Sequence, residues 1–469
     1  MDMFSPKTER FAFGLLLLLV VWLPIPLASN RPWAWSIMEG LIALQSLILV
    51  YCWRQALPWG WLKTNRFLLL GLGILQLVAL AQLLPLSIDM LSLLSGAAAS
   101  FRELASVSVE PLSEAPLSLD PNRTLVNLVM GCSYLLLAVN CCLLLNCRER
   151  MQVLMLAFVV SGTFQAFYGT MLILSDVAAS PVFEIPTASH ATGSFVYKNH
   201  FANYLILCLC MSLSLVVSEL NSQQSSSWQQ FLKRILEAFM SRKMLIRLCM
   251  VIMVIGLVMS RSRMGNSAFF VSTIIGACFA LVLFRKRPRT LTVFFVSILL
   301  IDVLIVSSLF GLDNLRERLS STVLAEEERV AVFDWSLNML QDFFITGSGA
   351  GSFYALFQNY APQPLAQFYD HAHNDYLQFS IEYGVFATAV LGAAVLWTLI
   401  RCLIAIRKRM DPLMRATALG CMMAIVAMLI HISVDFNLQA PANAASFIIV
   451  LCLGMVAATM PTEGHLRDV

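Results

Sequence analysis

Apolar runs of about 20 residues recur from one end of this chain to the other, and no other feature constrains its fold as strongly. Each is long enough to cross the ~30 Å hydrocarbon core of a bilayer as an α-helix. In lipid, every backbone N–H and C=O must be satisfied within the protein, so only helix bundles and closed barrels can span. The runs are continuous rather than alternating, which selects helices. The chain is therefore read as all-α, a polytopic membrane helix bundle. Composition agrees: 59% of the 469 residues are hydrophobic and 13% are charged, with a mean hydropathy of +0.77. An ordinary soluble domain carries about 25% charged residues.

Twelve spans are expected, near 11–28, 34–52, 67–87, 124–146, 151–173, 200–218, 244–260, 265–284, 290–311, 380–400, 416–434 and 444–460. An even number puts both termini on one side. Connections holding Lys7/Arg10, Arg54/Lys63/Arg66, Arg148/Arg150, Lys233 to Arg247, Arg285 to Arg289 and Arg401 to Arg415 alternate with basic-poor ones. The positive-inside bias makes the basic set cytoplasmic, with both termini inside. The net charge of +3 is thus a topology signal and implies no nucleic-acid partner. The first span is not expected to be a cleaved signal, because Trp22, Pro24 and Pro26 stand where small residues would be needed. All twelve cysteines fall in or beside the spans, so no disulfide framework or CxxC metal site is expected.

Three regions follow: spans 1–9 over residues 1–311, a large outer loop over 312–372, and spans 10–12 with a short tail over 373–469. The outer loop is expected to be partly helical, with Asp313 as a helix N-cap and an amphipathic stretch to Phe343. It then turns on Gly347-Ser-Gly-Ala-Gly351. That run lacks the preceding strand and the Lys-Ser/Thr of a phosphate loop, and reads as a flexible turn that lets backbone approach a substrate.

Chemistry concentrates on the outer face. Asp370-His371-Ala372-His373-Asn374-Asp375 is a dense polar patch just ahead of an apolar segment. Ionisable groups at a membrane boundary are costly and mark functional sites. Three readings of the histidines stay open: a zinc site using the HxH pair and an aspartate, a structural interface cluster, and a general base oriented by Asn374 or an aspartate. Ser260-Arg261-Ser262-Arg263 joins two spans on the same face, against the positive-inside bias. Its arginine forks suit an anionic group, phosphate in particular, although snorkelling to headgroups is the plain alternative. Arg329 follows three glutamates and carries only a weak signal by itself.

These residues resemble the O-antigen ligase and polymerase family of bacterial envelope glycan transferases. His373-Asn374, nine residues and Gly384 fit the family's His-[Asn/Ser/Gln]-x9-Gly signature, with Ala387 departing from the residue usual three positions later. Gly193-Ser-Phe-Val-Tyr-Lys-Asn199-His200-Phe-Ala202 resembles its Gly-x-Phe…Asn-x-x-Ala element. Ser262-Arg263-Met264-Gly265 resembles its Ser-Arg-x-Gly turn, and Arg329, Trp335 and Gly347 to Phe353 resemble the run before the histidine. The likeness covers roughly residues 190–400.

The resemblance implies an inner-membrane glycosyltransferase that moves a glycan from an undecaprenyl pyrophosphate donor to an acceptor sugar hydroxyl at the periplasmic face. His373 would act as base, with Arg263 and Arg329 on the pyrophosphate. Arg261, Lys198, Asn199, His200, His371 and Asn374 would line the substrate groove. No metal or nucleotide cofactor is implied. The acceptor would be lipid A-core or a lipid-linked repeat, with chain-length regulators or other polysaccharide-assembly proteins as partners. Protein O-glycosylation is a further branch of the family. A lipid-linked sugar transporter or flippase, and a non-catalytic assembly partner, are the alternatives from other classes.

Overall fold

A computed structural model describes residues 6–54, 58–106, 113–175, 177–219, 242–284, 291–293, 295–300, 330–361 and 369–461. It is an all-α bundle. The helices are α1 (Pro6–Trp22), α2 (Pro32–Cys52), α3 (Trp59–Thr64), α4 (Arg66–Leu83), α5 (Ile88–Leu94), α6 (Gly96–Ser106), α7 (Pro121–Leu144) and α8 (Arg148–Leu174). They continue as α9 (Lys198–Ser218), α10 (Arg242–Met259), α11 (Arg263–Leu283), α12 (Phe353–Leu356), α13 (Asp375–Tyr383), α14 (Val385–Lys408), α15 (Pro412–His431) and α16 (Pro441–Thr459). Residues 330–342 are also helical. One short antiparallel ladder pairs β1 (Pro85–Ser87) with β2 (Glu114–Pro116), and it ties α5 and α6 back to the end of α4.

Among the described residues nine helices are long and apolar enough to cross a membrane: α2, α4, α7, α8, α9, α11, α14, α15 and α16. The chain is a multi-pass membrane protein. Two further expected spans coincide with helices whose described apolar stretch falls below the 18 residues of the shortest of the nine, α1 with 17 residues and Met244–Met259 of α10. The expected span at 290–311 is described only as far as residue 300, and the Asp313 cap lies outside the described residues.

Helices α9, α15 and α16 form the middle of the bundle, with 94%, 78% and 89% of their spans buried against 28–44% for the other six. Small residues make this possible, because without a hydrophobic drive inside lipid, helices associate by close backbone approach. Helix α15 presents Ala416, Ala418, Gly420, Ala424 and Ala427, all buried, and a side chain at Gly420 would collide with Ser214 of α9. The buried hydroxyls of Ser212 and Ser214 bond back to the carbonyls of Cys208 and Cys210, at 2.8 and 3.1 Å. Neither hydroxyl is thereby stranded in hydrocarbon.

The two ends of the bundle differ. At one end Arg150 pairs with Glu9 at 2.5 Å, Arg148 pairs with Asp411, and Arg409 donates to the carbonyls of Ala458 and Met460. At the other end lie the first turns of α7, α9, α11 and α13, and the turn between α15 and α16. Here the expected span at 380–400 is corrected. Residues 375–383 form the separate helix α13, and the span begins at Val385. Gly384 makes the break with φ +80°, and a Cβ there would collide with the carbonyl oxygen of Ile345.

The glycine run is corrected too. Its backbone packs against α13, with Ser348 N–H to Ile381 O at 2.8 Å and Gly349 N–H to Glu382 O at 3.1 Å. Gln82 of α4 clamps it by donating to Thr346 O and accepting from Ala350 N–H. Ser348, Ala350 and Ser352 are fully buried. The run is a strap that fixes α13, and backbone rather than substrate approaches it.

Gly384→Ala is therefore expected to cost about 1–3 kcal/mol, from left-handed backbone strain and the carbonyl collision. Thermal melts in detergent should show a clear loss, while Gly392→Ala, where a Cβ meets nothing within 4 Å, should not.

Candidate active site

Helix α13 has nine residues, too few to hold itself. Its first turn is instead bolted to the turn between α15 and α16. Asn374 caps it, accepting from Leu377 N–H at 3.0 Å, and donates its amide to Ser433 O at 2.9 Å. The Asp375 N–H reaches the carbonyls of Ile432 and Asp435. The Asp375 carboxyl is buried and accepts from Leu438 N–H at 2.9 Å and the Gln439 amide at 3.2 Å. Burial pushes that carboxyl well above the usual range, and the two N–H donors only partly offset it. Asp375 and Asn374 are thus anchors, and both polar ends of Asn374 are engaged in the fold.

The anchoring delivers His373 to a carboxylate from outside the polar patch. Its Nδ1 stands 3.8 Å from Asp435 Oδ1, and its backbone is held in the left-handed region at φ +50°. Asp435 is almost fully buried, accepts from the Asn199 amide and from Phe436 N–H, and faces His431 Nε2 at 4.0 Å. Beside it, the Phe436 ring gathers three imidazoles. His371 stacks on it at 4.4 Å, while His200 and His373 meet it edge-on at 4.8 Å. Tyr197 stacks on the same ring at 5.3 Å. Among the described residues no group of three or more His, Cys, Asp or Glu side chains is placed to hold a metal ion.

Cations assemble one residue away. Lys198, Asn199 and His200 are consecutive in the first turn of α9, so that turn faces two ways. Asn199 and His200 belong to the Asp435–Phe436 cluster. Lys198, together with Arg261, acts electrostatically on His190, and burial and the two cations hold that imidazole below its ordinary value. Arg261 is exposed and left-handed at φ +52°, in the turn that Ala191 N–H joins through Met259 O. Arg263 opens α11, also exposed. Arg329 lies outside the described residues.

Residues 248–392 match the family model described as O-antigen ligase. The chain carries an O-antigen ligase domain. That match supports a membrane glycan ligase or polymerase type of function. No curated protein matches the chain. The matched segment of the ligase domain contains Arg261, Arg263, His371, His373, Asn374 and Gly384. Lys198, Asn199 and His200 on one side of it, and Asp435 and Phe436 on the other, reach the same site only through the fold. Those last two were missed by the sequence reading. The signal was present in a lone carboxylate, Asp435, placed one turn beyond His431 in a short connection otherwise free of charge.

His371 is connected inward as well. Gln378 accepts Ala372 N–H at 3.2 Å, reaches His371 Nδ1 at 3.1 Å and donates to Glu382 Oε1 at 3.1 Å. Burial holds the His371 imidazole below its ordinary value, Asp370 and Gln378 oppose this, and Arg123 adds to it. Burial raises the Glu382 carboxyl to about 7, against the N–H groups of Gly351 and Phe353 and the Gln378 amide.

That raised value has a stability consequence. The unfolded carboxyl ionises near 4.5, whereas the folded one stays protonated to about 7, so folding takes up a proton between the two. Stability should fall as pH rises from 4.5 to 7 and then level, by up to about 3 kcal/mol from this group. Glu382→Gln should flatten that part of the melting-temperature profile; an unchanged slope would mean another group sets it.

Proposed function

We propose that the ligase domain transfers a glycan from undecaprenyl pyrophosphate to a hydroxyl of an acceptor sugar, at the outer face of a bacterial inner membrane. One observation carries this reading: an imidazole–carboxylate pair, His373 and Asp435, shares the first turn of α9 with the cationic group of Lys198 and Arg261. His373 takes the acceptor proton through Nε2, while Asp435 on the Nδ1 side orients the ring and favours the imidazolium that forms. The acceptor oxygen bonds to the anomeric carbon as the bond to the pyrophosphate oxygen breaks on the opposite side, inverting that centre. Lys198 and Arg261, with Arg263 and Arg329, hold the pyrophosphate and stabilise the charge it gains on leaving. The positive-inside bias supports placing this end of the bundle in the periplasm and both termini in the cytoplasm.

The test is His373→Ala in nanodiscs given undecaprenyl pyrophosphate-linked glycan and candidate acceptors, with product analysis. Removing a general base should lower kcat by roughly 10²–10⁴ while donor affinity holds. A variant that keeps its rate would remove His373 from the chemistry. Wild-type protein that moves the donor across the bilayer without making product would identify a flippase instead. Whichever acceptor is extended decides between ligase, polymerase and protein glycosylation.

A further inference from the structure

A cleft of about 140 Å³ opens among α4, α7, α13, α14 and α16, at the level where α13 meets the spans. Its walls are mostly apolar, with Leu75, Met130, Phe447 and Leu451 among them, and its polar groups include Gln76 and Asn127. Asn127, Met130, Gly131 and Tyr134 line it from one face of α7, at helical spacing. Arg123 lies one turn further along that face, at the end of the bundle that holds the candidate site. It is exposed, its guanidinium lies 5.6 Å from the centroid of the half-exposed Tyr354 ring, and its charge acts on His371. An apolar slot with a cation and an aromatic ring at its mouth matches an amphiphile with an apolar tail, an anionic head and a sugar beyond it.

We propose that the cleft and Arg123 form a second lipid site, which takes the lipid-linked acceptor: its apolar chain in the cleft, its phosphate on Arg123 and its first sugar against Tyr354. This rests on the proposed function, in which Lys198 and Arg261 hold the donor pyrophosphate. The two cationic groups act on different imidazoles, Lys198 and Arg261 on His190 and Arg123 on His371. Lys198 flanks the Phe436 cluster through the α9 turn it shares with His200, and Arg123 flanks it through His371, so two lipid-anchored substrates can present their sugars to one base. Two carboxylates bear on the anion. Glu382 lines the cleft but is tied to Gly351 and Phe353 N–H and to Gln378. Asp370 stands 3.9 Å from His371 Nε2 and opposes the phosphate.

The experiment compares wild type with Arg123→Gln, Met130→Trp and Asp370→Asn in nanodiscs. Losing one charge-assisted contact should raise KM for a polyprenyl phosphate-linked acceptor roughly tenfold or more. Donor affinity should stay within about twofold, and the loss should exceed that on the same glycan without lipid. Asp370→Asn should bind the lipid-linked acceptor more tightly. Equal losses on both acceptors, or a matching loss of donor affinity, would overturn the assignment. Native mass spectrometry of retained polyprenyl phosphate against phosphatidylglycerol needs no turnover. Selective retention that Arg123→Gln and Met130→Trp abolish supports the site even where the transfer reading fails, and equal retention of both lipids overturns it.

Discussion

The structure of the candidate site depends on one docking event, the first turn of α13 against the turn between α15 and α16. A helix of nine residues is marginal by itself, and this one follows a long loop. What holds it is a buried carboxyl, Asp375, with N–H donors from Leu438 and Gln439, and the two-ended grip of Asn374. Burying a carboxyl is costly unless its hydrogen bonds are made, so this contact tolerates little slack. From it follow the left-handed backbone of His373, its approach to Asp435 and the stacking of His371 on Phe436. The glycine strap fixes the other end of the same helix by backbone bonds to Ile381 and Glu382. With both ends held, the imidazoles are positioned from a rigid element although they sit in a loop.

Much of the fold was legible because lipid leaves few options. The apolar runs marked the long helices of the described residues, and the short α3, α5, α6 and α12 carry no such run and went unmarked. Periodicity ran α13 and α14 together, since nothing in an apolar pattern distinguishes a helix from two helices broken at a left-handed glycine. The site was half legible. His371, His373, Arg261, Lys198, Asn199 and His200 announce themselves as polar residues at a membrane boundary. Asp435 and Phe436 do not, because a single carboxylate and a phenylalanine in a short turn have no local pattern. Their importance comes from a contact with residues over 60 positions away in sequence, and sequence spacing carries no such distance.

Several residues that resemble family motifs have backbone reasons rather than chemical ones. Gly265 of the Ser-Arg-x-Gly turn lies against Ala202 of the Asn-x-x-Ala element, and a Cβ on the glycine would stand 2.7 Å from the alanine's. The two motifs are the two halves of one close helix contact. Gly193 likewise folds against Gly169 and Phe201. Once these are set aside as scaffold, the polar side chains left over include Lys198, Asn199, His200, Arg263 and His373 from the motifs, with Arg261 beside them. Two of them, Arg261 and His373, hold left-handed backbone that non-glycine residues enter at a cost of about 1–3 kcal/mol. Strain kept at two polar residues of one face is what a site selected for geometry would retain.

The arrangement also resolves a conflict inherent in the chemistry. A transferase acting on anionic lipids needs cations, but a cation beside a general base disfavours the protonated ring the base must reach. Here the cations act on His190 and His371, while His373 faces the carboxylate of Asp435. Phe436 provides the spacing, because one aromatic ring separates three imidazoles by packing and introduces no charge. Asn199 completes it by binding Asp435 from the same helical turn that carries Lys198, so the carboxylate is held for the base and the lysine is directed elsewhere. In the proposed mechanism, attraction for the substrates and basicity at the reacting hydroxyl thus fall to different side chains, Lys198 and His373, joined through Asn199 and Asp435.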